Sequence, residues 1–149
     1  MATDINMLKE QITTRIATNI TTVQDVTNYD KTVFKGFPAV TVTCSGNEND
    51  FWSTAENQRV FTFIIRIYIQ LTNKPALDLV SDNAKDAAEA IMGRVVSEII
   101  DTFDNFYTFN NAADFCRAIP SSWGYAQVGE GWCRTAEIKL QVTKSFTLT

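Results

Sequence analysis

The clearest pattern in the chain is an alternation of apolar and mixed positions over residues 59–71. Every second residue from Phe61 to Leu71 is large and apolar. A β-strand sends successive side chains to opposite faces, so the pattern predicts a long strand with one dry face. Fully burying six such side chains is worth roughly 10 kcal/mol before opposing terms, at about 1.5–3 kcal/mol each. We therefore expect another apolar element to cover this face.

Two segments have the three- and four-residue spacing of amphipathic helices. The first is predicted over residues 4–19, with Asp4 as a suitable N-cap. Its apolar face comprises Ile5, Leu8, Ile12, Ile16 and Ile20. The second is predicted to begin between Pro75 and Asp82, where Ser81 is an alternative cap. Its apolar stripe comprises Ala84, Ala88, Ile91, Val95, Ile99 and Phe103. We expect this second helix to cover the dry face of the long strand.

Shorter alternating segments predict the rest of a sheet. Residues 39–44 and 134–147 alternate between apolar and polar positions, and residues 115–119 suggest a strand that Pro120 ends. The glycines at 129 and 131 predict the turn of a hairpin. Together the pattern predicts an α+β fold over residues 1–149, with a mainly antiparallel sheet of about four to six strands and two helices packed on one face.

A polar interruption at residues 45–58 separates two of the predicted strands and is predicted to be a long loop. Its candidate contact residues are Glu48, Asp50, Phe51, Trp52 and Glu56. One interpretation is a hairpin loop whose aromatics fold back on the sheet. The other is a protruding arm that lays Phe51 and Trp52 on another molecule, since long loops are uncommon without a function and aromatics are enriched at interfaces. The spacing of the acids does not fit a calcium-binding EF-hand loop.

The net charge, the N-terminal sequence and the lengths of the apolar runs argue against nucleic-acid-binding and membrane proteins. The 149-residue chain has 13 Lys and Arg against 17 Asp and Glu, a net charge of −4, and no basic run. It therefore lacks the electrostatic footprint of a nucleic-acid-binding protein. The N-terminus lacks the pattern of a signal peptide, and no apolar run reaches the roughly 20 residues of a membrane span. We expect a protein that folds in a cytoplasm and does not contact a membrane.

The sequence contains few of the residues and motifs on which enzyme active sites usually depend. The chain has no histidine, and it lacks the phosphate-binding and nucleophile-elbow glycine motifs. Its cysteines, Cys44, Cys116 and Cys133, have no metal-binding spacing. They are expected as three thiols, with a Cys116–Cys133 disulfide as the alternative. We expect no enzymatic activity, metal or cofactor, although Trp123, Tyr125 and Trp132 could form a stacking platform.

The order of elements and two stretches of sequence, residues 29–71 and 135–147, resemble the tail terminator, or tail completion, proteins of long-tailed bacteriophages. The resembling features are the strand FPAVTV at residues 37–42, the acidic segment at 46–50, and TAENQRVFTFIIRI at 54–67. The resemblance implies a structural virion protein that assembles as a homo-hexameric ring. Such a ring caps the finished tail tube, ends tube polymerisation and presents a surface to the head–tail connector or stopper protein.

The resemblance also implies where the protein acts and what it contacts. The expected partners are other copies of the chain, the tail tube protein and the connector. DNA would only pass through the lumen, and Glu48, Asp50 and Glu56 facing that lumen would repel its phosphates. We expect the protein in the host cytoplasm during assembly and then in the virion tail or neck. The alternatives are a connector, stopper or other neck subunit, or an unrelated soluble α+β binding module.

Overall fold

The computed structural model describes residues 5–31, 33–51, 56–72, 80–129 and 131–147, with the backbone alone at residues 46–51, 56–58 and 146–147. Both predicted helices and the long strand are confirmed. The elements in chain order are α1 (Ile5–Asn19), β1 (Asp25–Thr27), β2 (Ala39–Phe51), β3 (Glu56–Thr72), α2 (Asp82–Asn105), β4 (Phe115–Val128) and β5 (Gly131–Thr147). The predicted cap at Asp4 lies outside the described residues.

The five strands form one sheet in the order β1-β2-β3-β5-β4. All neighbouring pairs are antiparallel except β1 and β2, which run parallel over three residues. Residues 28–38 join this parallel pair, and the peptide bond between Phe37 and Pro38 is cis. The predicted α+β class, with a mainly antiparallel sheet, is therefore confirmed.

The dry face of β3 is confirmed from Phe61 to Ile69, whereas Leu71, which lies at a register shift, is only partly buried. Phe61, Phe63, Ile65 and Ile67 are at most 2% exposed, while the alternate positions are only partly buried. The same face of β5 contributes Ala136, Ile138, Leu140 and Val142 to the core. Because the period of a strand is two residues, a one-residue slip would turn this whole set outward. The register is therefore strongly specified by the buried face.

Both helices pack on this face. Leu8, Ile12 and Ile16 of α1 are fully buried. The buried face of α2 comprises Ala88, Met92, Val95, Val96, Ile99, Thr102 and Phe103. The predicted later start of α2 is also confirmed, because the Ser81 hydroxyl accepts a hydrogen bond from the Ala84 N–H at 3.2 Å. The buried residues of α2 belong to the same apolar core as Phe61, Phe63, Ile65 and Ile67 of β3, so the prediction that this helix covers β3 is confirmed.

The expected break at Pro120 is wrong. β4 continues through Pro120 to Val128, with a register shift between Pro120 and Trp123. Proline is tolerated there because β4 is the last described strand of the sheet, and because edge strands and bulges are the places where sheets accept proline. The predicted hairpin turn is confirmed: Val128 pairs with Gly131, and Gly129 has a φ of 62°, a conformation that favours glycine.

Residues 106–114, which we call the aromatic turn, connect α2 to β4. Phe109 is fully buried, with ring centroids 5.9 Å from Phe103 and 5.1 Å from Phe106. Phe109, Asn110 and Asn111 all have positive φ, of 51°, 54° and 70°. Asparagine tolerates this conformation better than most residues, whereas phenylalanine adopts it here in a fully buried position. The turn thus closes the end of the core beside the last strand.

Candidate functional site

The polar interruption at residues 45–58 is not a loop, which corrects the sequence prediction. Glu48, Asp50 and Phe51 lie in β2, and Glu56 lies in β3. The two strands remain paired to the Phe51–Asn57 position, with a register shift between Cys44 and Gly46. Only residues 52–55, which include Trp52, lie outside the described residues. Asn, Asp and Glu are depleted in strands, so the local composition opposed this outcome.

The paired ladder explains why these polar residues nevertheless form strands. Residues 57–60 of β3 pair with β2 on one side and with residues 143–146 of β5 on the other. We call this three-stranded part (residues 45–51, 56–60 and 143–147) the arm. The described apolar core ends at Phe61 and Val142. The β2–β3 ladder continues four residues beyond the level of Phe61, or about 13 Å at ~3.3 Å per residue.

The base of the arm is braced by Asp114, the residue before β4. Its N–H donates to the Thr143 carbonyl at 2.8 Å, and its Oδ2 accepts from the Ser145 N–H at 2.9 Å. The Lys144 ammonium lies 3.8 Å from Asp114 Oδ1. A single side chain thereby satisfies an edge N–H of β5 and offsets a neighbouring positive charge. This arrangement ties the arm to the aromatic turn.

The acidic positions of the arm fall on one face of the sheet. Glu48 and Asp50 pair with Val60 and Gln58, which alternate with the core face, and Glu56 has the same parity. These positions therefore belong to the face opposite the helices, which we call the open face. The structure brings the backbone positions of three of the predicted contact residues to this one face. Position 51 has the opposite parity.

Further along β3, the open face contains a network of charged and aromatic side chains. Arg66 Nε donates to Glu137 Oε1 at 2.8 Å, and Arg66 Nη1 lies 3.8 Å from Asp30 Oδ1. The hydrogen bond to Glu137 raises the pKa of the arginine, which therefore stays charged. The Phe34 ring lies 4.9 Å from that of Tyr68, so Phe34 covers part of this face. Burial raises the pKa of Tyr68.

The described residues line small cavities, two of which flank the sheet and the helices. One, of about 190 Å³, lies on the open face and is lined by Arg66, Tyr68, Ala126, Thr135 and Glu137. The other, of about 370 Å³, lies between α1 and the aromatic turn. There the Arg15 guanidinium stacks 3.8 Å from the centre of the Phe106 ring. Within the described part of the chain, no group of three histidine, cysteine, aspartate or glutamate side chains could hold a metal ion.

The predicted stacking platform is assembled in a different way from the one expected. The Arg134 guanidinium lies 5.4 Å from the centre of the Trp123 ring and 4.6 Å from that of Tyr125. It also pairs with Glu89 of α2 and donates to the Gly124 carbonyl. Trp123 and Tyr125 stay 38% and 46% exposed. This cation–aromatic cluster lies on the helix-facing side of β4, and sequence reasoning missed the arginine that holds it together.

The three cysteines carry thiols, so the alternative of a disulfide between Cys116 and Cys133 is wrong. Cys116 lies opposite Val142 of β5, while Cys133 is itself on β5, nine residues away, or about 30 Å along the strand. A disulfide needs Cα atoms within about 7 Å. Burial raises the pKa of Cys116 to about 12 and that of Cys133 to about 11. Neither thiol is therefore activated as a nucleophile near neutral pH.

No protein-family model matches the chain, and no curated protein matches it either. Of the two described helices, neither is long and apolar enough to cross a membrane.

Proposed function

We propose that this chain is a structural subunit of a phage tail. Copies of it form a ring on the end of the tail tube, end tube polymerisation and present a surface to the head–tail connector. The proposal rests on the resemblance of residues 37–67 to tail terminator proteins. The arm is the structural observation that supports it best, because β2 and β3 continue for about 13 Å beyond the described core. A subunit that must contact neighbours and a tube needs such a projection.

The placement of the acids fits the same proposal. Positions 48, 50 and 56 share the open face of the arm. If this face lines the lumen of the ring, three carboxylates from each subunit face the passing DNA. Phosphates and carboxylates repel each other, so DNA would not adhere to the wall. Neutralising Asp50 and Glu56 would then slow DNA passage while the ring still assembles.

The proposal is tested with growing tail tubes. The tube protein encoded by the same genome is allowed to polymerise, and this chain is added at substoichiometric amounts. We expect elongation to stop and electron micrographs to show a ring at one tube end. A control variant with a charge change on the solvent side of α2, Arg94→Glu, should cap equally well. Continued elongation and bare tube ends would overturn the proposal, whereas binding to the isolated connector alone would favour a neck subunit.

A further inference from the structure

The sheet leaves two strand edges open. β1 covers only Ala39–Thr41 of β2, so among the described residues no strand pairs with the outer edge of β2 beyond Thr41. At the other end of the sheet, β4 pairs with β5 alone within the described part of the chain. Open edges promote pairing with another chain, and proteins normally protect them with lysines and prolines. Neither β2 nor β4 contains a lysine.

The directions of the two open strands match. β2 runs antiparallel to β3, β3 to β5, and β5 to β4. β4 therefore runs opposite to β2. When copies of the chain are related by rotation about an axis parallel to the strands, β4 of one copy meets β2 of the next in the antiparallel sense. This is the sense of every long pairing already present in the sheet.

The charges of the two edges are complementary. Glu48 and Asp50 are the charged residues of β2, and Arg117 is the charged residue of β4. Arg117 is exposed, and no ion pair among the described residues involves it. Both Glu48 and Arg117 have open-face parity, because Glu48 pairs with Val60 and Arg117 pairs with Gln141, the partner of Thr62. The acidic edge and the basic edge thus lie on opposite sides of one molecule.

We propose that β4 of one copy pairs edge to edge with β2 of the next copy, so that a second copy of this chain is the occupant of each open edge. This contact joins neighbouring subunits of the proposed ring. That the repeated contact closes into a ring rests on the proposed function. Following the ladders across the sheet, Arg117 lies at the level of Gly46, and Phe115 at that of Glu48. Arg117 then lies diagonal to Glu48 of the next copy, within reach of a long side chain.

Pro120 sets the C-terminal limit of the part of β4 that takes part in this contact. It cannot donate to a ladder, and the register shift between Pro120 and Trp123 bends the strand there. The pairing is therefore confined to residues 115–119 of β4 against residues 43–48 of β2. Because the contact uses two different surfaces, it is heterologous, and its repetition closes a ring when the rotation is a simple fraction of a turn.

The test is a charge exchange on the purified full chain, followed by sedimentation velocity at increasing concentration. The wild type should associate beyond its 16.7 kDa monomer. Arg117→Glu and Glu48→Arg place like charges against each other, and each should weaken association by about tenfold or more. The double variant restores opposite charges and should recover most of the loss. Arg94→Glu, on α2, serves as the matched control and should associate like the wild type.

A mixture of the two single variants separates this contact from its alternatives. In a heterologous contact, the altered β4 edge of Arg117→Glu meets the altered β2 edge of Glu48→Arg with opposite charges. The remaining edges of the two variants are native, so association should return on mixing. A contact between two β4 strands would leave Glu48→Arg unaffected, which would overturn the inference. A wild type that stays monomeric at millimolar concentration, or a mixture that stays dissociated, would also overturn it.

The outcome is separable from that of the proposed function. Tubes capped equally by the wild type and by Arg117→Glu would leave the tail role intact and refute the edge contact. Restored association without tube capping would do the reverse.

Discussion

Arg66 and Glu137 form a cross-strand ion pair on the open face, with Nε donating to Oε1 at 2.8 Å. The two residues are direct register partners on β3 and β5. Because Arg66 is 39% exposed, solvent screens the pair. We expect Glu137→Gln to lower the free energy of unfolding by less than about 1 kcal/mol, and by still less in high salt. Urea unfolding at two ionic strengths measures this; a larger, salt-independent loss would contradict it.

The two faces of β3 should differ in their sensitivity to substitution. Phe63 is fully buried beneath the helices, whereas its neighbour Ile64 is half-buried on the open face. Phe63→Ala should lower the free energy of unfolding by about 3–5 kcal/mol, because it leaves a cavity. Ile64→Ala should cost about 1–2 kcal/mol.

Urea unfolding curves of the two β3 variants provide the check. If Phe63→Ala does not fold, Phe63→Leu replaces it in the comparison. Because leucine leaves a smaller cavity, the urea midpoint of Phe63→Leu should lie below that of the wild type and above the midpoint expected for Phe63→Ala. Equal losses at positions 63 and 64 would contradict the assignment of the dry face.

Gly93, in the middle of α2, should be replaceable with a gain in stability. An added Cβ there would meet nothing within 4 Å. Alanine has a higher helix propensity, so Gly93→Ala should raise the free energy of unfolding by about 0.5–1 kcal/mol. Gly129→Ala is the matched control: at a φ of 62° it should lose about 1 kcal/mol. Thermal or urea unfolding distinguishes the two; a loss at position 93 would indicate an unrecognised contact.

Asp25 should make stability depend on pH in the acid range. Burial raises the pKa of this carboxyl, but its ion pair with Lys31 at 2.9 Å and the Lys35 N–H at 3.0 Å outweigh burial and lower the pKa below 3.8. A carboxyl with a lowered pKa stabilises the fold above its unfolded pKa, and the contribution disappears as pH falls through the folded pKa.

The Asp25 contribution is isolated by substitution. Asp25→Asn should cost about 2 kcal/mol at pH 6, because it leaves Lys31 without its charged partner, and the difference from the wild type should shrink below about pH 4. Asp30→Asn, at a 61% exposed side chain, should follow the wild-type curve. Free energies of unfolding measured between pH 2 and 7 would contradict the account if Asp25→Asn also ran parallel to the wild type.

Phe51 of the arm and its neighbour in sequence, Trp52, should matter for contacts and not for folding. We expect Phe51→Ser with Trp52→Ser to weaken tube capping by about tenfold or more while the free energy of unfolding changes little, since interface aromatics commonly contribute over 1 kcal/mol each. Tyr107→Ser, at a 52% exposed aromatic of the turn after α2, is the control and should cap normally. Capping is scored from tube lengths; a double variant that caps like the wild type would exclude these residues from the contact.

Periodicity predicted the elements whose burial is one-sided. Phe61 to Leu71 alternate because one face of β3 meets the helices, and α1 repeats every three or four residues for the same reason. In both elements, the apolar residues occur at the positions that pack against the core.

The arm and the end of β4 could not be predicted in this way. At Asn47 and Asn49, local propensity opposes a strand, and pairing with β3 imposes it. Pro120 breaks a central strand but not an edge strand, and the position of β4 in the sheet is not visible in its own residues. The Trp123–Arg134–Tyr125 cluster depends on strand register, which a single sequence does not specify.

The most direct test of the account is a cryo-electron microscopy reconstruction of tail tube ends after this chain has been added. The account predicts a closed ring of copies, six by the resemblance to tail terminator proteins, with β4 of each copy beside β2 of the next and the arms directed at the tube or the lumen. Tube ends without added density, or copies bound along the tube wall without forming a ring, would contradict it.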